Sequence, residues 1–167
     1  CDRATAESPM PNTAATAAAP AQADNPLLAA STLPFQAPPF DRIQDAHYQP
    51  AIEEGMRQHL AEVRQIADNP EPPSFANTIE ALERSGALLT RATAPFFAMT
   101  SAHTNATLQA AEEALAPQLA EHADAIHLDP ALFARVEALY DQRATLGLSP
   151  EQTVLVERTY ENFVRAG

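Results

Sequence analysis

From Asp41 onward the apolar positions recur at helical spacing. Ile52, Met56, Leu60, Val63 and Ile66 follow at intervals of four, four, three and three residues, which is one face of a helix. The pattern predicts a helix at residues 47–68, with Pro50 in its first turn, where a missing N–H costs little. The run Asn69-Pro70-Glu71-Pro72-Pro73 ends it. A second helix is expected from Asn77, which has capping-box spacing to Glu80. Ile79, Leu82, Leu88 and Leu89 lead it toward Phe96, Phe97 and Met99, with Gly86 as a close-packing point and Pro95 as a kink or break. A third helix at 105–126, capped by Thr104 or Asn105, carries the stripe Leu108, Ala111, Leu115, Leu119, Ala123 and Ile126, with Pro117 as an interior irregularity. Asp129-Pro130 opens a fourth, a capping carboxylate followed by proline at the first helical position. Leu132, Phe133, Val136, Leu139 and Tyr140 are its apolar side, and Gly147 stops it. Ser149-Pro150-Glu151-Gln152 starts a fifth over 150–165, with Val154, Leu155, Tyr160, Phe163 and Val164 turned inward. No segment sustains the period-two alternation of a strand. The fold class predicted is all-α, an irregular helical bundle of about five helices.

Upstream the pattern changes twice. Residues 26–40 place Leu27, Leu28, Leu33, Phe35 and Phe40 between prolines, which predicts an extended Pro-rich arm packed on the helical body. Residues 1–24 are Ala, Pro, Thr and Ser with Met10 as the one large apolar side chain, too little to offset the cost of ordering a backbone. The division expected is a disordered N-terminal tether, 1–24, and one helical domain, 25–167.

Composition narrows the function classes. The 167 residues carry 22 acidic side chains against 10 cations, all of them Arg, for a net charge of −12. Nucleic-acid binding needs cations to neutralise phosphates, so no nucleic acid is expected as a partner. A basic membrane-surface patch is excluded on the same ground. The single cysteine is Cys1, which leaves no intrachain disulfide and no Cys-based zinc cage. A cysteine heading a polar low-complexity run resembles the mature end of a bacterial lipoprotein, which implies lipid attachment at Cys1; an ordinary exposed thiol is the plainer alternative. A lipid there would be the only membrane contact expected.

Catalytic chemistry has few candidates. His47, His59, His103, His122 and His127 include no pair at the i, i+4 spacing that sets two imidazoles on one metal. His122 and His127 point about 140° apart on an ideal helix. His59 borders the first apolar stripe, where a buried histidine with a carboxylate partner is expected. The four glycines, Gly55, Gly86, Gly147 and Gly167, form no phosphate-cradling loop, and no serine lies in GxSxG. Glu53-Glu54 and Glu112-Glu113 are adjacent on their helices and read as solvated faces. No catalytic residue and no metal ligand is assigned.

Read together, NPLLAASTLPFQAPPFDRI, HYQPAIEEGM, NTIEALERSGALLTR, TSAHTN, LFARVEALYDQR and ERTYENFVRAG resemble the opening of bacterial peptidyl-dipeptidases (dipeptidyl carboxypeptidases). These are members of the thimet-oligopeptidase-like zinc metallopeptidase family. The resemblance covers residues 25–167. It implies a helical segment forming one wall of a deep channel, whose own chain continues past Gly167 to a C-terminal catalytic half. That half would hold zinc on an HExxH helix and a following Glu, and would take short peptides as substrates. None of those motif positions matches this chain, so no cofactor is expected in it, with zinc in the full-length protein. With the lipoprotein reading, the location implied is the bacterial envelope or periplasm. A free-standing helical envelope lipoprotein that binds a partner or peptide is the alternative.

Overall fold

The computed structural model describes residues 24–167. The tether expected over 1–24, Asp24 excepted, and the lipid site expected at Cys1 lie outside the described residues. A 3-10 turn, Pro34–Gln36, is followed by α1 (Asp45–Ala67) and by a π-helical turn, Phe75–Glu80, that runs into the single-turn α2 (Ala81–Arg84). Then come α3 (Ala87–Ala102), α4 (Ala106–His127), α5 (Pro130–Gln142) and α6 (Pro150–Ala166). No strand occurs among the described residues, so the all-α expectation holds, with five long helices.

Three helix starts are those the sequence predicts. Asn105 Oδ1 accepts from Leu108 N–H at 3.0 Å, and Asp129 Oδ1 from Ala131 and Leu132 N–H, both at 2.9 Å. Ser149 Oγ accepts from Gln152 N–H at 3.2 Å, while Gln152 Oε1 accepts from Ser149 N–H at 3.0 Å, a reciprocal box.

Other boundaries differ from the prediction. The box expected from Asn77 to Glu80 is one register earlier: Ser74 Oγ accepts from Asn77 N–H and Asn77 Oδ1 from Ser74 N–H, at 3.1 and 2.8 Å. α1 starts at Asp45, because Gln44 N–H donates to His47 Nδ1 at 3.0 Å, and Pro50 falls in its second turn. The expected break at Pro95 is absent, and α3 continues through it to Ala102. Buried Ala92 and Phe96 flank Pro95 in sequence, and their packing offsets the roughly 3 kcal/mol that an interior proline costs. The chain turns instead at Gly86, whose φ of 72° and ψ of 22° are left-handed, a region glycine enters without a Cβ clash. α4 likewise runs unbroken through Pro117.

The interior divides into two hydrophobic clusters. The first gathers Leu27 of the arm, Tyr48, Ile52 and Met56 of α1, Ala92 and Phe96 of α3, and Leu108, Ala111 and Leu115 of α4. The second gathers Val63 and Ile66 of α1, Ile79, Ile126 at the end of α4, Leu132, Val136 and Leu139 of α5, and Val156 and Phe163 of α6. Both α1 and α4 pass through both clusters. In the first, α1 and α3 meet at Gly55, where an added Cβ would stand 2.7 Å from Leu89 Cα.

The arm packs as expected at one end only. Leu27 is buried, Asn25 Nδ2 donates to the His47 carbonyl at 2.7 Å, and Arg91 Nε donates to the Leu27 carbonyl at 3.0 Å. Leu33, Phe35 and Phe40 are exposed, against the expectation, and Phe35 sits at a left-handed φ of 58°. Leu60 is exposed too, and α6 is rotated: Val156 and Phe163 are buried while Val154 and Val164 face out. On α4 the stripe passes through His122 rather than Ala123.

Candidate functional site

Where the two clusters meet, a polar layer crosses the molecule. α1 brings His59, one turn past Met56 and one before Val63. α4 brings His122, seven residues past Leu115 and four before Ile126. The corner between α2 and α3 brings Ser85 and Gly86. His59 Nδ1 and His122 Nε2 lie 2.9 Å apart, with ring centroids at 5.0 Å. His59 Nε2 lies 3.0 Å from Ser85 Oγ, and Ser85 Oγ donates to the Leu82 carbonyl at 2.7 Å. Gly86 N–H donates to Glu62 Oε2 at 2.7 Å. The carboxylate partner expected for His59 is therefore an imidazole and a hydroxyl; Glu62 is near but occupied by the Gly86 amide.

Burial pushes both imidazoles below the ordinary histidine value. For His59 the Glu62 carboxylate opposes that shift, and for His122 the neighbouring His59 adds to it. The layer is thus favoured in its neutral form. A cleft of about 420 Å³ opens beside it, lined by Glu62, Gln65, Asn69, Asn77, Arg84 and Ser85.

Next to that cleft, Arg135 is 7% exposed and, among the described residues, has no carboxylate partner. It donates to the carbonyls of Asn69 and Glu71 at 2.8 and 3.0 Å and to Asn77 Oδ1 at 3.0 Å. It thereby staples the proline-rich loop after α1 onto α5. Sequence reading singled out neither Arg135 nor the His59–His122 pairing. For His122 the signal was present, since 115, 122 and 126 continue the helical period; nothing local marks Arg135.

The remaining candidates stay apart. His47 caps α1, and His103 closes α3 with its N–H on the Met99 carbonyl at 2.8 Å. His127 Nδ1 pairs with the Ala123 carbonyl at 2.9 Å and its ring packs on Phe163 at 5.3 Å. Glu54 pairs with Arg57, whose hydrogen bonds hold its carboxyl down to about 2. Glu112 and Glu113 are exposed. The described residues do not fit a zinc ion, because no three His, Cys, Asp or Glu side chains converge among them. No helix among them is long and apolar enough to cross a membrane.

An apolar cleft of about 420 Å³ lies between the end of α4, the start of α5 and the end of α6. Leu128, Pro130, Phe133, Phe163 and Val164 line it, and Leu128 and Val164 are 55% and 53% exposed.

These features define a helical scaffold with an open apolar face and, among the described residues, no cluster of three metal-ligating side chains. No family model matches the chain. Over 143 residues, 86% of its length, it is 53% identical to the dipeptidyl carboxypeptidase of Salmonella typhimurium and 54% identical to that of Escherichia coli. The resemblance to bacterial dipeptidyl carboxypeptidases read in the sequence is therefore shown. The chain spans 21% of the length of each of these relatives.

Proposed function

We propose that the chain is the N-terminal, channel-wall segment of a zinc-dependent peptidyl-dipeptidase that removes dipeptides from the C-termini of short peptides. The observation that carries this reading is the 53% identity to a dipeptidyl carboxypeptidase, spread over 86% of the chain. On this reading the segment supports the reaction and the zinc ligands belong to the C-terminal half of the full-length protein. That half and short peptides are its partners. The cleft of Leu128, Phe133, Phe163 and Val164 is the face the rest of the protein covers, since contiguous exposed apolar surface on a soluble protein marks a contact. A cell-envelope location belongs to the same proposal, with Cys1 as the lipid carrier; Cys1→Ser should release the protein from membranes, and unchanged fractionation would remove that part.

The main test is Leu128→Asp with Val164→Asp in the full-length protein. Burying two new carboxylates is costly, so kcat/KM on a blocked peptide is expected to fall on the order of tenfold. The same pair is exposed in the 167-residue chain, whose melting temperature should not move. Unaltered peptidase activity would contradict the reading of this face.

A further inference from the structure

The protons of the polar layer have one arrangement that satisfies it. Ser85 has a single hydroxyl hydrogen, and it goes to the Leu82 carbonyl at 2.7 Å. Ser85 Oγ therefore accepts from His59 Nε2–H at 3.0 Å. His59 Nδ1 keeps its lone pair and accepts from His122 Nε2–H at 2.9 Å. His122 Nδ1 ends the chain as a bare lone pair, buried and, among the described residues, without a partner. The reverse arrangement would leave an unpartnered N–H at that atom and take the Ser85 hydrogen from Leu82.

A further proton has two sites to go to, with one consequence at His122 Nδ1. Added to His122 Nδ1, it becomes a buried N–H with no acceptor. Added to His59 Nδ1, it forces His122 Nε2 to turn acceptor, which moves the His122 hydrogen to Nδ1 and reaches the same end. Either way the unsatisfied donor is His122 Nδ1–H, on a side chain that is 7% exposed, and the charge lies on His122 or on half-buried His59, an arrangement that burial makes costly. His59 has little room to relieve it, because Gly86 lies so close that an added Cβ would stand 3.0 Å from the ring.

We propose that the His59–Ser85–His122 chain is an acid-released latch: neutral, it fastens α4 to α1 and to the α2–α3 corner, and protonated, it opens as His122 turns out to solvent. The latch sits at the junction of the two hydrophobic clusters, so its opening uncouples them.

The surrounding charges leave this logic intact. From α1, Glu62 faces His59 and favours its charged form, but its carboxylate is held by Gly86 N–H. From the corner come Ser85 and a backbone amide, both neutral, while Arg84 is turned outward and paired with Glu80. α3 begins there with Ala87, Leu88 and Leu89, none of which titrates. On α4, His127 faces Phe163 and the Ala123 carbonyl instead. With both imidazoles held below their unfolded value, the stabilisation is full above about pH 6.5 and is lost as pH falls through the folded values.

The test is nitrogen-15 NMR of histidine-labelled wild-type protein, read together with melting curves. At pH 7.5 both His59 and His122 are expected as Nε2–H tautomers, and both should titrate below about 6.5. The melting temperature should drop by several degrees between pH 7.5 and 5.5, and His122→Leu should flatten that drop. A Nδ1–H tautomer on either ring, titration of both at or above about 6.5, or an equal drop in His122→Leu would overturn the latch.

Discussion

The two hydrophobic clusters are closed in different ways. In the first, small residues let long helices meet backbone to backbone: Gly55 touches Leu89, and Ala51, Ala92 and Ala111 are buried beside it. Phe96 fills the middle at 0% exposure and the arm is tied over it by Arg91. In the second, large rings hold shorter helices apart. Tyr140 and Tyr160 stack at 3.9 Å between α5 and α6, Phe133 stacks on Tyr160 at 5.9 Å, and a cleft stays open beside Phe163. Close backbone approach covers a core with its own chain, whereas ring-mediated packing leaves edges that a neighbour can cover. The same sequence thus builds a finished end and an end that offers a surface.

The largest expected effect tests the finished end. Phe96→Ala should cost about 3–5 kcal/mol, read as a shift in the denaturation midpoint, because the close-packed helices cannot collapse onto the void. Gly55→Ala should cost about 1–3 kcal/mol, since its Cβ meets the Leu89 backbone rather than a side chain that can give way. Gly147→Ala is the control: it has a left-handed φ of 65°, unlike helical Gly55, and no atom within 4 Å of the new Cβ, so only backbone strain of about 1 kcal/mol is expected. Equal losses at the two glycines would remove close approach as the reason for Gly55. Near the second cluster, Arg135→Met should cost about 1–3 kcal/mol by leaving the carbonyls of Asn69 and Glu71 without the Arg135 donor. The smallest change is expected at Arg57→Ala near neutral pH, because its guanidinium is exposed and solvent screens the pair with Glu54. That ion pair does have its own pH signature. Its carboxyl is held at about 2, so its small contribution is present above the unfolded carboxylate range and fades as pH falls toward 2. The histidine layer acts at higher pH, which separates the two in a titration of stability.

Much of this architecture is legible in local chemistry. Asp129-Pro130 and Ser149-Pro150 with Gln152 fix helix starts through hydrogen bonds within three residues, so the sequence alone reveals them. The α1 face was also readable, with Leu60 as its exception. What escaped was decided at a distance. Pro95 argues for a break, yet α3 is held by the burial of Ala92 and Phe96 against other helices. Gly86 reads as a mid-helix residue until its left-handed corner is seen to make room for His59. His59 and His122 are 63 residues apart, and Arg135 is 66 from Asn69, so no spacing rule joins them. α6 misled for a different reason: it has apolar residues on two faces, and only packing shows that Val156 is inside and Val154 outside.

On the proposed latch, a neutral histidine layer joins the two clusters into one cooperative unit. Native-state hydrogen exchange, corrected for intrinsic rates at each pH, tests it most directly. At pH 7.5 the amides of Ile52 and Leu115 in the first cluster and of Val63, Val136 and Val156 in the second should open with the same free energy. At pH 5.5 the two groups should part, with the second cluster opening at lower cost. Two distinct opening energies already at pH 7.5, or a single shared one at both pH values, would contradict the account.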